Sequence, residues 1–370
     1  MRRLEEYVSA DGKLLRCGYT TGTCAAAATR AAAELLLCRV APPAVEIQTP
    51  AGISVVVDVE EYERGADWAR CAVQKDAGDD PDVTDGVVVY ATVSLSADDG
   101  IAVDGGVGVG RVTRAGLDQP VGAAAINSVP RRMIREAAQE AAKAHGYDGG
   151  LSVRIDIPAG VELAARTFNP RLGIEGGISV LGTSGIVRPM SEDALVASIK
   201  LELGVLRASG ADRVLVVPGN YGRDFARREL GLDVEQAVAC SNYIGATIDE
   251  AARLGFSRML VVGHLGKLVK VAAGIMNTHS RVADGRAEVM AAHAALAGAS
   301  REVVAAIMEA PTTDAMLNVL AEAGLLDQTM DSMLARMACV LAQRAGDRLY
   351  VDVVVFSNVR GVLGRWPKEV

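Results

Sequence analysis

The sequence predicts a two-domain α/β protein, and three observations carry this. The chain has 370 residues, enough for roughly two domains of about 100–200 residues. Its first half strings strand signals together with two helix patterns, as an α+β domain does. Its second half alternates short, continuous apolar runs with helical patterns, which is how a buried parallel sheet reads. The predicted architecture is an N-terminal α+β domain over residues 1–175, then a Rossmann-like α/β domain with a mostly parallel sheet over residues 176–370. Hydrophobic residues make up 50% and charged residues 23%, a globular composition. With four Phe and two Trp, the core must rest on Val, Leu, Ile and Ala.

Residues 1–16 read as a polar lead-in. Residues 23–38 are rich in Ala and Leu, good helix formers, and Arg30 and Glu34 stand one turn apart on a polar side. Pro42-Pro43 ends that helix. Residues 45–49 and 53–59 flank Thr49-Pro50-Ala51-Gly52 and predict a hairpin. Residues 68–75 and 87–95 read as strands, the second rich in β-branched residues. The segment Gly105-Gly106-Val107-Gly108-Val109-Gly110 lacks the GxxxxGK[ST] pattern and reads as a flexible loop or a tight β-bend. Residues 130–145 predict a helix with Pro in its first turn and Gly146 beyond its end. A strand is expected over 151–157.

The composition changes after Asn169-Pro170. Five glycines fall in residues 173–185. A helix start follows, with Ser191 as N-cap, Glu192 and Asp193 at the positive end, and Met190 with Leu195 as a hydrophobic staple. Apolar strands are expected at 214–217, 259–262 and 350–356. Helical patterns lie between them, over 234–254 and along 287–343.

The 38 basic and 46 acidic residues give a net charge of −8, and no long basic run occurs, which disfavours nucleic acid as a partner. The six cysteines are scattered, without CxxC. Neither a zinc site nor a disulfide framework is expected, and reduced thiols in a cytoplasmic protein fit best. The first thirteen residues lack the apolar stretch of a secretory signal. No apolar run reaches the length of about 18 residues that a membrane span needs.

Four stretches are rich enough for chemistry. Gly18-Tyr19-Thr20-Thr21-Gly22-Thr23-Cys24 opens the first helix, and reads equally as a capped start or as an anion-binding end. Cys24 reads as a buried helix residue or a thiolate nucleophile. The loop Lys75-Asp76-Ala77-Gly78-Asp79-Asp80-Pro81-Asp82-Val83-Thr84-Asp85 holds five aspartates. It admits a divalent-cation site, a carboxylate base or a solvated turn. Open α/β sheets bind ligands beyond the carboxyl ends of their strands, where Pro218-Gly219-Asn220-Tyr221-Gly222 and Gly263-His264-Leu265-Gly266-Lys267 are expected. His264 and His279 share a polar block with Lys267, Lys270, Asn277 and Arg281, so either histidine is a candidate base or donor. No HxxxH pair suggests a metal site.

In this order the motifs resemble the CbiD family of cobalt-precorrin-5B C1-methyltransferases. The carrying stretches are Gly18–Ala27, Lys75–Thr84, Asn169–Ser179, Gly182-Thr183-Ser184-Gly185-Ile186-Val187, Gly219–Gly222, Ser241-Asn242-Tyr243-Ile244-Gly245, Gly263–Lys267 and Asn277–Arg281. Gly122–Asn127 departs from the pattern, where a Pro or an acid is expected. The resemblance implies methyl transfer from S-adenosylmethionine to C1 of a corrin precursor, giving cobalt-precorrin-6A. Cobalt would be carried by the substrate, with no metal site on the protein. It implies a small-molecule substrate and no membrane partner, and leaves homo-oligomerisation open. Such a substrate carries many carboxylates, which suit Thr20, Thr21, Thr23, Lys75, Asp76, Arg131, Arg171 and Lys267. A proton acceptor is expected among His264, Asp82, Asp79 and Asp76, the first three as the catalytic set. The methyl donor is expected at strand ends of the second domain, against Gly182, Thr183, Gly185, Gly219, Asn220, Gly222 and Gly263. A nucleotide-dependent phosphotransferase and a non-catalytic tetrapyrrole carrier are the competing readings.

Overall fold

The computed structural model describes residues 2–10 and 12–368. The chain divides into two units, Met1–Ser191 and Glu192–Val370. Residues 176–191, read from the sequence as the start of the second domain, pack with the first.

In the first unit, β1 (Gly18–Tyr19) leads directly into α1 (Thr21–Cys38). Nearly all of α1 from Cys24 to Ala33 is inaccessible to solvent, with Arg30 half-exposed. A helix buried almost all round must be apolar all round. Alanine also lets its neighbours come close. Those are the strands β2 (Glu61–Arg64), β3 (Trp68–Gln74) and β4 (Val88–Ser96), and, beyond β5 (Ile101–Gly105), the helix α2 (Ser128–Ala144). With β6 (Gly150–Asp156) the strands form one sheet in the order β2-β3-β4-β6-β5. Every pairing is antiparallel except β6 with β5. The inward residues Val89, Ala91, Val93, Val153 and Ile155 alternate with outward ones along β4 and β6, as the pleat requires. The expected hairpin forms between Ala44–Gln48 and Ser54–Asp58.

The lead-in differs from the sequence reading, and the glycine segment takes the β-bend of its two alternatives. Tyr7–Ala10 pairs antiparallel with Lys13–Arg16, so the lead-in contains a hairpin. The glycine segment is held between strands: Gly108–Val109 runs parallel to Gly177–Ile178, and Arg111–Val112 pairs with Ile174–Glu175. Gly108 has φ +74°, and a Cβ there would stand 1.8 Å from the Ile157 carbonyl oxygen. No other residue fits so close an approach. The unit closes with β7 (Ile186–Val187), antiparallel to β1.

The second unit runs α3 (Glu192–Ala208), β8 (Arg213–Val217), α4 (Asn220–Arg228), β9 (Val238–Ala239), α5 (Ile244–Leu254), β10 (Arg258–His264) and α6 (Leu265–Leu268). Four helices follow, α7 (Arg286–Leu296), α8 (Arg301–Glu309), α9 (Thr313–Glu322) and α10 (Leu326–Ala345), then β11 (Tyr350–Ser357) and β12 (Gly361–Trp366). The sheet order is β9-β8-β10-β11-β12, with three parallel pairings and one antiparallel pairing, β11 with β12. The unit is thus mixed α/β with strands of both orientations.

Side chains of this sheet sort by period two. Val214, Val216, Met259, Val261, Val353 and Val355 join the larger core with α3, α5 and α7–α10. Val217, Val262, Val354 and Phe356 join a smaller one with Ala226 of α4. The span 234–254 is not one helix, because β9 and a turn interrupt it before α5. The span 287–343 is broken into α7–α10, with Ser300 and Thr312 capping the second and third of them.

Candidate functional site

The threonine-rich start of α1 is closed by its own chain. Thr20 is the N-cap, and its Oγ1 accepts from Thr23 N at 3.3 Å. Thr21 Oγ1 donates to Leu181 O at 3.3 Å and accepts from Leu181 N at 3.0 Å. Thr23 Oγ1 donates to Gly185 O at 2.6 Å. The Gly22 N–H donates to Leu181 O, and Thr20 N to Gly185 O. All three threonines are buried. Their hydroxyls, expected to receive substrate carboxylates, instead hold residues 181–185. Gly182 sits at φ +135°, and a Cβ there would lie 2.2 Å from Thr20 Oγ1. Gly182, Thr183 and Gly185 therefore belong to the first unit, not to the strand ends of the second where the sequence reading placed the donor. The signal that misled was glycine density, which here serves close packing. Burial pushes the Cys24 thiol up to about 12, which leaves it protonated and removes the nucleophile reading.

The acidic loop is satisfied from within. Arg16 forms a two-pronged pair with Asp76, at 2.6 and 2.8 Å. Lys75, 2% exposed, donates to Asp82 Oδ2 at 2.7 Å. The other oxygen of Asp82 accepts from Thr84 N and Oγ1, both at 2.7 Å. Asp79 accepts from Arg16 N at 2.7 Å, Asp80 from Met190 N at 3.1 Å, and Asp85 from Ala77 N at 2.8 Å. Burial acts to raise Asp82, but the Lys75 charge and the bonds from Lys75 and Thr84 outweigh it, leaving the carboxyl below its usual range. Asp76 is likewise lowered: burial is outweighed by Arg16 and the Gly78 N–H. Asp82 is thus a poor proton acceptor. Among the described residues, no group of three His, Cys, Asp or Glu side chains is placed to hold a metal ion. Gly18 lets β1 lie against this loop, since a Cβ there would meet the Ala77 carbonyl carbon at 2.2 Å.

Arg131 is also engaged by backbone. Its guanidinium donates to Ile126 O, Val103 O and Ala124 O at 2.9, 2.8 and 3.1 Å. It stitches β5 and the segment before α2 to that helix, with three of its five N–H groups committed to backbone carbonyls. Arg171 is exposed on the short helix Asn169–Leu172.

The carboxyl ends of β8, β9 and β10 gather the remaining candidates. The first turn of α4 starts at Asn220 with no side-chain cap. Asn220 is exposed, and Gly219 has open space where a Cβ would stand. Gly222 and Gly263 serve packing instead. A Cβ on Gly222 would meet Val262 O at 2.7 Å, and one on Gly263 would meet the Leu268 side chain at 2.8 Å.

His264 caps α6, its Nδ1 accepting from Gly266 N at 3.0 Å. Its ring stands edge-on to Phe356 at 5.5 Å, and Phe356 stacks on Phe225 at 3.9 Å. Burial lowers the imidazole pKa, with Asp314 opposing. The ring is then neutral at pH 7, and the Nδ1 acceptor role leaves the proton on Nε2. Of the two roles the sequence left open for His264, base or donor, this geometry presents the donor. Lys267 Nζ donates to Pro218 O at 2.9 Å and to Ser241 O at 3.3 Å.

Ser241 and Asn242 were missing from the predicted site residues. Asn242 O accepts from Thr278 N at 2.9 Å, and Tyr243 pairs with Asn277. Lys270, buried, holds the segment after Asn277 through Thr278 O and Ala283 O, at 3.1 and 2.9 Å. Four segments thus meet at one sheet edge. A groove of about 400 Å³ opens at the strand starts, lined by Leu206, Leu215, Leu232 and Leu260 beside the paired Arg258 and Asp352. Arg213, Asp233 and Gln236 complete its rim, and none of the candidate residues of the carboxyl edge lines it.

The CbiD family matches residues 8–189, and the CbiD C-terminal domain matches residues 277–367. A protein of Ruminiclostridium cellulolyticum named cobalt-precorrin-5B C(1)-methyltransferase is 49% identical over 356 residues, covering 96% of this chain and 92% of its own. The chain belongs to the CbiD family. A protein of the same name from a Thermoanaerobacter species is 44% identical over 99% of this chain and 100% of its own. A solved cobalamin biosynthesis protein, cbiD of Archaeoglobus fulgidus, is 30% identical, covering 75% of this chain and 86% of its own, with a TM-score of 0.41. The first CbiD match holds the α1 start and the acidic loop. The second opens on the strap that Lys270 tethers. No described helix is long and apolar enough to cross a membrane.

Proposed function

We propose that the chain is a cytoplasmic S-adenosylmethionine-dependent methyltransferase, acting on C1 of cobalt-precorrin-5B to give cobalt-precorrin-6A. The observation that carries this is near-full-length identity to CbiD proteins bearing that name. The second unit is read as Rossmann-like, with its parallel strands β9, β8, β10 and β11 presenting a donor site at their carboxyl ends. The residues there fit such a donor. The uncapped N–H groups of α4 suit an amino-acid carboxylate. The Asn220 carboxamide and the His264 Nε2–H suit hydroxyl and ring acceptors.

S-Adenosylmethionine, when bound, supplies an electrophilic methyl group on a good leaving group. The chain's own work is then alignment and exclusion of water. His264 holds its Nε2 proton through the cap to Gly266 and orients what it touches. Lys267 fixes the two loops between which a ligand lies. Arg171 is the exposed cation of the predicted set that suits a substrate carboxylate. Cobalt enters with the substrate.

The phosphotransferase reading needs the acidic loop to hold Mg²⁺, and its carboxylates are already engaged by Arg16, Lys75 and backbone N–H groups. Calorimetry with S-adenosylhomocysteine and with ATP, followed by transfer from methyl-labelled donor to the cobalt-corrin precursor, tests the proposal. Binding of the homocysteine and label at C1 are expected. ATP binding with no response to the homocysteine, or corrin binding without label transfer, overturns it.

A further inference from the structure

Among the described residues Lys267 pairs with no carboxylate, and its ammonium donates to backbone carbonyls at two other strand ends. One of them belongs to Ser241, which lies at φ +51°, in the left-handed region. A serine there is strained by about 1–2 kcal/mol, and such strain persists only where surrounding structure holds it. The holding groups are on the page. Cys240 N bonds to Val217 O, and Tyr243 N to Cys240 O. Thr278 N bonds to Asn242 O, and Thr247 Oγ1 to Tyr243 O at 2.8 Å. Within this set, Lys267 Nζ alone reaches the Ser241 carbonyl and ties it to Pro218. One helical turn on, Lys270 uses its ammonium in the same way, on Thr278 O and Ala283 O.

From this we infer that Lys267 is a positioning residue of the methyl-donor site, a tether that keeps Ser241 left-handed and sets the gap between the 218–220 and 240–243 loops. This rests on the donor lying at that edge, as proposed above. It replaces the expectation that Lys267 receives a substrate carboxylate. A tether and a carboxylate receptor predict different kinetics. Losing a tether deforms the donor site and leaves corrin binding alone. Losing a receptor does the reverse. Glycine adopts positive φ freely, so a Ser241→Gly change relieves the strain that the tether opposes and restores what its loss removed.

The test uses the full-length enzyme as wild type, Lys267→Met and Lys267→Met/Ser241→Gly. Expected for Lys267→Met is a rise of about tenfold in KM for S-adenosylmethionine, with KM for the corrin within twofold. The Ser241→Gly change is expected to recover most of that loss. Amide exchange over residues 240–247 should quicken in Lys267→Met and slow again in the double variant, with no ligand present. A raised corrin KM with an unmoved donor KM overturns the inference in favour of a receptor. Absence of Ser241→Gly rescue overturns the tether. If wild type fails to bind S-adenosylhomocysteine while the exchange pattern holds, the donor assignment fails and the tether stands.

Discussion

Replacing Lys75 with Met probes what the acidic loop is for. The Lys75 side chain is 2% exposed and that of Asp82 25%, with 2.7 Å between Nζ and Oδ2. Removing one partner of a buried pair strands the other charge, at a cost of about 3–5 kcal/mol. Asp82 keeps its two bonds from Thr84 and some water, which places the loss near about 3 kcal/mol. At about 2–4 °C per kcal/mol for a unit of this size, the first transition should fall by about 6–12 °C.

A Lys75→Met/Asp82→Asn double variant removes the stranded charge and should regain about half of that. The acid limb gives a second check. Asp82 titrates below its unfolded value of about 3.9. Its stabilisation is present above that pH and is lost as pH falls through the folded value. The gap between wild type and Lys75→Met should therefore close below about pH 4. Thermal unfolding by circular dichroism across pH 3–8 is the assay. A loss under about 1 kcal/mol, or a double variant no better than the single one, would refute a structural role for the pair.

Gly182→Ala places a methyl group against Thr20 at a positive φ, and should destabilise the first unit by about 2 kcal/mol or more. An unchanged melting temperature would show that residues 181–185 are not seated on α1. His264 titrates below its ordinary value, so its neutral, capping form is favoured above about pH 6.5 and its stabilisation declines as pH falls through the folded value. His264→Asn, a good N-cap, should flatten that decline between pH 5 and 8 and still slow methyl transfer. Melting curves that slope alike for both proteins would remove the cap from the argument.

Much of the architecture is legible in the sequence, and what is not has identifiable causes. The 44–58 hairpin reads directly, because Thr49-Pro50-Ala51-Gly52 sits between two alternating runs. The helix over 128–144 reads from its proline and trailing glycine. β9 does not, since two residues carry no periodicity and the surrounding apolar pattern looks helical. The chemistry-bearing stretches were found, but their partners were not. Thr20–Thr23 looks like an anion site until Leu181 and Gly185, 160 or more positions away, are seen to occupy it. Arg131 looks like a carboxylate receptor until three carbonyls meet it. Ser241 carries no local mark, because positive φ in a non-glycine residue is held by partners distant in sequence, here bonds from Lys267 and Thr278 to the 241–242 carbonyls.

The pairing of β1 with β7 has a consequence for biosynthesis. Thr20, the N-cap, and Thr23 are made first, and Gly185, which receives the Thr23 hydroxyl, follows Thr23 by 162 residues. Until then α1 exists without its plug, an alanine-rich segment with a ragged end. The first unit cannot finish folding while its own chain is still being threaded out. It completes only once translation has run well past α3, when residues 181–187 have cleared the ribosome and fasten the start of α1 to the end of that unit.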